Sequence, residues 1–144
     1  MYGDTWACGG ELNNMKIRFT GMLLGIVCAL AVPSPGAPPI RVLLLDGEQA
    51  GAYHAWQETT PYLKRMLEDS GIFQVDVVTA PPRNGDFGAF KPDWSKYQVI
   101  VSNYDAPDDR WPDTLKASFE EYIRYGGGLV SVHAADNAFA NWKE

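Results

Sequence analysis

The stretch that decides the fold lies at residues 40–47 and reads IRVLLLDG. Its first six residues form a nearly continuous apolar run, and an Asp-Gly pair typical of a turn follows directly. A run of this kind indicates a strand that is buried on both faces, as the strands of a parallel sheet are. We therefore predict that residues 40–45 form a β-strand at the centre of the fold.

Three further strands and two helices are predicted downstream of this run. The strands are expected at residues 73–78, 98–103 and 129–133, which are rich in valine. Thr60-Pro61 has the residue types of a helix start, and Gly71 has that of a helix end. The second helix is predicted to open at Trp111-Pro112 and to stop at the three glycines 126–128. The side chains expected to face the core are Tyr62, Leu63, Met66 and Leu67 in the first helix and Leu115, Phe119, Tyr122 and Ile123 in the second.

This alternation predicts an α/β fold, a flavodoxin-like three-layer sandwich built on an open parallel sheet. The first and third strands should be neighbours, with the fourth beside the third. The long crossing at residues 80–96 should be fixed by Phe87, Phe90 and Trp94. Two helices cannot cover both faces of four strands, so we expect a sheet that is incomplete at the C-terminus. The expectation is a fragment or truncated product, with bare sheet that favours a homo-oligomer.

Residues 1–39 are predicted to be a leader that precedes the folded part. A basic start at residues 15–18 comes before an apolar run at 19–32, and small residues follow at 29 and 31. This pattern is typical of a secretory signal peptide at about residues 15–31, and a proline-rich linker follows at 32–39. The run is shorter than the ~20 residues of a membrane span, so no stable span is expected after cleavage, with an uncleaved anchor as the alternative. A periplasmic or secreted location is therefore predicted, and both cysteines lie in the leader.

The charge of the chain bears on its partners. The formal net charge is -6, which argues against nucleic acid because binding to phosphates requires a basic face. A small molecule bound at the sheet is the partner expected instead. In open α/β sheets, ligands bind beyond the carboxyl ends of the strands. The polar and aromatic residues that follow the first strand are Asp46, Glu48, Tyr53, His54 and Trp56. Those that follow the third and fourth strands are Asn103, Tyr104, Asp105, Asp108, Asp109, Arg110, Trp111, His133, Asp136 and Asn137.

Residues 126–139, GGGLVSVHAADNAF, are similar to the core motif of the ThuA-like (trehalose utilization) family. Tyr53-His54-Ala55-Trp56 with Thr59-Thr60-Pro61, and Asn103-Tyr104 with Trp111-Pro112, resemble the same family in the same order. The resemblance covers residues 40–144, the N-terminal part of such a domain. It implies a fold like that of class I glutamine amidotransferases and a role in sugar catabolism, often in secreted bacterial proteins.

The resemblance also excludes one activity. In the amidotransferases a cysteine stands on the sharp turn after the strand that corresponds to residues 129–133. Here that turn carries His133-Ala134, and neither cysteine of the chain lies in the folded part. Hydrolysis of glutamine through a thioester is therefore excluded.

Three functional hypotheses remain open. The first is an enzyme, a hydrolase or lyase acting on a sugar or keto-sugar. In it His133 is a general acid/base that Asp136 or Asp105 orients, and substrate contacts come from His54, Trp56, Asn103, Tyr104 and Asn137. A zinc or manganese ion held by His54 and His133 with Asp46 or Asp105 is a variant of this hypothesis. The second is a sugar-binding module that uses Tyr53, Trp56, Tyr104 and Trp111 as stacking platforms. The third is an inactive fragment.

Overall fold

The computed structural model describes residues 36–49, 51–107 and 109–143, so the predicted signal peptide lies outside the described residues. Its longer elements are β1 (Ile40–Asp46), α1 (Trp56–Glu68), β2 (Phe73–Thr79), β3 (Val99–Ser102), α2 (Asp113–Arg124) and β4 (Gly128–Ser131). Two short 3₁₀ turns span Trp94–Lys96 and His133–Asn137. In the described part of the chain, no helix has the length and apolar character that crossing a membrane requires.

The four strands form one parallel sheet in the order β2-β1-β3-β4. Leu45 of β1 is level with Val78 of β2 and with Ser102 of β3, and Ser102 is level with Ser131 of β4. The predicted neighbours, β1 beside β3 and β4 beside β3, are therefore confirmed. The carboxyl ends of all four strands consequently meet at one edge of the sheet.

Side chains of β1 alternate between two apolar layers. Val42 and Leu44 pack with Val75 and Val101 on the face that α1 covers. Leu43 and Leu45 pack on the opposite face, in the cluster that includes Leu115 of α2. Because both faces of β1 are buried, its uninterrupted apolar sequence is explained, and the predicted three-layer arrangement is confirmed.

The crossing between β2 and β3 is held to the α2 face by aromatic side chains, as predicted. Phe87 and Trp94 are buried in the apolar cluster there, and Phe90 packs against it. The indole Nε1 of Trp94 donates a hydrogen bond to Ser118 Oγ of α2 at 3.0 Å. The crossing thereby supplies part of the cover that helices give elsewhere in such sheets.

The end of α2 and the bare edge at β4 follow the predictions. Gly126 has φ 91°. The N–H groups of Gly126 and Gly127 donate to the carbonyls of Ile123 and Tyr122, and these two bonds form a Schellman motif at the end of the helix.

The edge of the sheet at β4 is exposed. In β4, Leu129 and Val130 are 47% and 48% exposed. The sheet is thus partly bare among the described residues, as expected.

Two predictions about α1 are wrong. The helix begins at Trp56, four residues before Thr60, because the carbonyl of Ala55 already accepts the N–H groups of Glu58 and Thr59. Tyr62 and Met66, predicted to be in the core, are 76% and 63% exposed. Leu63 and Leu67 are the residues that face the sheet. Tyr62 and Met66 each come one residue earlier, so their side chains are rotated by about 100° around the helix axis.

Two differences concern the α2 face and the end of β4. Ile123 was predicted to be buried but is 39% exposed, since it lines an open cleft beside Leu129 that no described element covers. The strand predicted to reach His133 ends at Ser131. His133 instead has φ 51°, which ends the extended backbone and begins the 3₁₀ turn.

Gly47 makes the turn after β1. Its φ is 132°, and a Cβ atom there would overlap the carbonyl oxygen of Ala80. The N–H of Ala80 donates to the carbonyl of Asp46 at 2.7 Å, so the backbones that follow β1 and β2 lie against each other. Glycine is required here because any side chain would separate them.

Candidate functional site

His54 is buried in the loop between β1 and α1, with 3% of its surface exposed. Its N–H donates to the carbonyl of Gly51 at 3.3 Å, and its own carbonyl accepts the N–H of Trp56 at 3.0 Å. The loop thus closes a turn around His54 immediately before α1 begins. This turn carries the imidazole to the carboxyl edge of the sheet, where the sequence predicted it.

Asn103 connects β1, α1 and the His54 loop. Its N–H donates to the carbonyl of Leu45 at 2.8 Å, which extends the pairing of β3 with β1 by one residue. Its carbonyl oxygen lies 3.1 Å from His54 Nε2. Its side-chain Nδ2 donates to the hydroxyls of Thr59 and Thr60 at 2.9 and 3.0 Å. Asn103 is 1% exposed, and its bonds to His54 and Thr60 are buried, while the bond to Thr59 is partly buried.

His133 stands on the turn directly after β4, and its side chain is exposed. Its ring stacks on that of His54 with the centroids 5.9 Å apart and the planes 11° from parallel. The ring of Tyr53 meets it edge-on at 6.5 Å. A positive φ in a residue other than glycine costs about 1–3 kcal/mol and is concentrated at functional sites. The strained backbone therefore supports a functional interpretation of His133.

These side chains enclose a pocket of about 250 Å³ on the α1 face of the sheet. The polar side chains that line it belong to His54, Thr59, Asn103 and His133, and the aromatic ones to Tyr53 and Tyr62. Leu63 and Val132 complete the lining. Of the residues predicted for the site, the structure brings His54, Asn103 and His133 together here.

The other predicted residues lie elsewhere. Asp136 lines a separate cleft of about 580 Å³ on the α2 face, and Asn137 is exposed on the same turn. Trp56 is the first residue of α1 and does not line the pocket. The direction of Asp136 follows from the left-handed backbone at His133, which turns the chain away from the α1 face.

Asp46, Tyr104 and Asp105 are almost completely buried. One carboxylate oxygen of each aspartate has no hydrogen-bond partner among the described residues. The hydroxyl of Tyr104 donates to Glu48 Oε2 at 3.4 Å, and burial raises the pKa of Tyr104 well above its ordinary value. None of the three lines the pocket that the two histidines share.

An ion pair that was not predicted from the sequence joins the loops after β1 and β3. Arg110 Nε lies 2.9 Å from Glu48 Oε1, and the two side chains are 12% and 11% exposed. The hydrogen bond to Glu48 raises the pKa of Arg110. Opposite charges after neighbouring strands were the available signal. The pair fixes the loop that leads from β1 towards His54.

The geometry of the histidines bears on the metal hypothesis. Within the described residues, no group of three or more His, Cys, Asp or Glu side chains converges as a metal site would need. The rings of His54 and His133 lie in nearly parallel planes, 11° apart, with their centroids separated by 5.9 Å. Asp46, the third ligand considered, does not line their pocket.

Two further lining residues, Thr59 and Tyr62, were not among the site residues singled out from the sequence, whereas Tyr53 was considered there as a stacking platform. Thr59 carries the hydroxyl that accepts from Asn103, and Tyr53 and Tyr62 present exposed rings. Tyr62 follows the helical spacing of the core residues, which is why it was assigned to the core. The signal that could have found it is its place one turn after Thr59 on the α1 surface.

The chain is similar to known proteins of one family. Residues 41–144 match the family model described as ThuA, trehalose utilisation. The crystal structure of a ThuA-like protein from Parabacteroides merdae ATCC 43184 is 43% identical, with a TM-score of 0.66 over 73% of this chain. A ThuA-like protein from Bacteroides uniformis ATCC 8492 is 25% identical, with a TM-score of 0.49 over 73% of this chain. The chain spans 36% and 40% of the lengths of those two proteins. No curated protein matches the sequence.

Proposed function

Because the chain belongs to the ThuA family, whose model is described by trehalose utilisation, we propose that it serves carbohydrate catabolism and binds a sugar in the His54–His133 pocket. The single observation that carries the proposal is the meeting of both histidines of the chain with Asn103 in this pocket. They come from three separate segments of the sequence. Their meeting place is the carboxyl edge of the sheet, where α/β proteins bind ligands.

The walls of the pocket suit a sugar. Tyr53 and Tyr62 are 67% and 76% exposed and offer apolar ring faces, while Asn103 and Thr59 offer hydrogen-bonding groups. A sugar ring has the same two kinds of surface, with apolar C–H groups on its faces and hydroxyl groups at its edges. The volume of about 250 Å³ is below the ~300–1,000 Å³ of sites for drug-sized ligands. The pocket therefore suits one sugar ring of a disaccharide.

In an enzyme, His133 would be the general acid/base. Its imidazole is exposed to the pocket, and histidine exchanges protons near neutral pH. His54 lies behind it, stacked on its ring, and contacts the substrate. The reaction class proposed is hydrolysis or elimination at a sugar or keto-sugar carbon.

A sugar-binding module without catalysis is the second candidate, and one observation favours it. Neither Asp105 nor Asp136 lines the pocket, so the carboxylate expected to orient His133 does not contact it here. Binding by Tyr53, Tyr62 and Asn103 requires no such carboxylate. In either case we propose that the protein is exported, on the support of the basic and apolar pattern at residues 15–32.

Replacement of Tyr62 by alanine tests the binding site. Loss of its ring from the pocket wall should raise the dissociation constant for trehalose about tenfold, equivalent to ~1.4 kcal/mol. Tyr125→Ala is the matched control, because Tyr125 is 83% exposed at the end of α2, beside the amino ends of the strands. Isothermal titration calorimetry measures both variants. Equal effects of the two substitutions would place the sugar elsewhere.

Replacement of His133 by alanine separates the two candidates. In an enzyme, loss of the proton donor should reduce turnover of trehalose or its keto derivative by about 10²–10⁴-fold. The dissociation constant should change by less than about threefold, since Tyr53, Tyr62 and Asn103 remain. Product analysis of the wild-type chain and the variant makes the measurement. A wild-type chain that binds sugar and forms no product would support the binding module.

A further inference from the structure

We infer that hydrogen bonds running from Ala55 through Thr59 and Asn103 to His54 fix the orientation of two acceptor atoms, Asn103 Oδ1 and His54 Nδ1. Through these two acceptors the pocket selects a neutral ligand whose hydroxyl groups donate hydrogen bonds. The selection of the ligand rests on the proposed function. The state of the two acceptors does not, because it is a property of the pocket without ligand.

The orientation of the Asn103 amide follows from Thr59. The Thr59 hydroxyl donates its one proton to the carbonyl of Ala55, at 3.2 Å. Towards Asn103, 2.9 Å away, that hydroxyl can therefore only accept. The amide nitrogen must face Thr59 and Thr60, and the amide oxygen must point away from them.

The amide oxygen is then left without a partner. Asn103 Oδ1 is buried and accepts no hydrogen bond from any described residue. An unpaired buried acceptor is unfavourable, so its persistence in a residue of the pocket wall points to a ligand group that donates to it. A hydroxyl supplies such a donor without adding charge.

The tautomer of His54 follows from the same residue. A backbone carbonyl has no proton to donate, so the 3.1 Å contact between His54 Nε2 and the carbonyl of Asn103 requires the proton to be on Nε2. In the neutral imidazole the lone pair is then on Nδ1. The ring of His133 is stacked on this ring, with the centroids 5.9 Å apart and the planes 11° from parallel. Nδ1 therefore remains the proton-accepting atom of His54.

Two fixed acceptors discriminate between classes of ligand. A carboxylate or phosphate brings lone pairs to these atoms and would be repelled, and the residues that line the pocket include no lysine or arginine. A neutral polyol can donate a hydrogen bond from a hydroxyl group to each acceptor. His54 and Asn103 therefore both accept hydrogen bonds from the ligand, and Thr59 is a positioning residue that acts through Asn103.

The ligand-free state is tested by two-bond ¹H–¹⁵N spectra of the full chain labelled at histidine. The chain has two histidines, so a His133→Gln variant assigns the signals. At a pH where the imidazole is neutral, we expect His54 to show a protonated Nε2 and an unprotonated Nδ1. A protonated Nδ1, or a mixture of the two tautomers, would overturn the inference.

The selection of the ligand is tested with trehalose and its fully O-methylated derivative, which keeps the ring faces and lacks hydroxyl protons. We expect trehalose to bind at least about tenfold more tightly, and equal binding would overturn the inference while leaving a sugar site in place. Thr59→Val should weaken trehalose binding about fivefold and Thr59→Ser should restore it, because serine keeps the hydroxyl. If His54 shows the expected tautomer and neither sugar binds, the fixed acceptors stand and the proposed function fails.

Discussion

Replacing Leu44 by alanine should lower the free energy of unfolding by about 3–5 kcal/mol. Leu44 is fully buried in β1 and packs with Val42, Val75 and Val101 beneath α1. Its strand is paired on both sides, with β2 and with β3, so the backbone cannot move inwards to fill the space that the side chain leaves. A cavity that does not collapse gives the upper range of losses for this substitution.

Leu129→Ala is the matched control, because it removes the same atoms from β4, where Leu129 is 47% exposed. We expect it to cost less than about 1 kcal/mol, since much of the side chain is already in water. Urea unfolding followed by circular dichroism measures both variants. Losses of equal size would contradict the placement of the core at β1 and of the bare edge at β4.

Replacing Arg110 by alanine should lower the free energy of unfolding by about 2–4 kcal/mol. Removal of one partner leaves Glu48 with its charge in a largely buried position, which costs about 3–5 kcal/mol when burial is complete. Both side chains keep about a tenth of their surface in contact with water, so a smaller loss is expected. The effect should extend to ligand binding, because this pair fixes the loop that leads to His54.

The control for this substitution is Arg65→Ala, which breaks the pair with Asp69 on the surface of α1. Those side chains are 81% and 69% exposed, and the expected loss is at most about 0.5 kcal/mol. The double variant Glu48→Ala/Arg110→Ala should lose less stability than the sum of its two single variants, because neither charge is then left unpaired. Strict additivity in thermal unfolding experiments would contradict the ion pair.

The sheet was predictable because its sequence signal is local and strong. The uninterrupted apolar run of β1 indicates burial on both faces, and that condition alone places it in the interior of a parallel sheet. The glycines at 126–128 mark the end of α2 because a left-handed residue is needed there. In both cases the residues that determine the structure are neighbours in the sequence, so no contact with a distant segment has to be known.

The start of α1 and the exposure of Tyr62 were not predictable in this way. Thr60 has the side chain of a helix cap, but its hydroxyl accepts a hydrogen bond from the side-chain amide of Asn103, 43 positions away. Helical spacing shows that Tyr62 and Leu63 belong to one broad face and does not show which flank of that face meets the sheet. Both outcomes depend on contacts between distant segments.

The location of the candidate site was predictable from the sequence, but only some of the residues that line it were. Parallel strands bring their carboxyl ends to one edge, so His54, Asn103 and His133 were expected near each other. The left-handed backbone at His133, which sends Asp136 to the other face, has no signal in the sequence, because that conformation is uncommon outside glycine. The hydrogen bond between Asn103 and Thr59 has no signal in the sequence either, because it depends on how β3 is aligned with β1.

Binding of a sugar between His54, Asn103 and His133 is tested most directly by an NMR titration of the labelled full chain with trehalose. We expect the largest shift changes at the rings of Tyr53, Tyr62, His54 and His133, with little change at Trp142 and Leu129 of the larger cleft. Shift changes centred on that cleft, or none at saturating sugar, would contradict it.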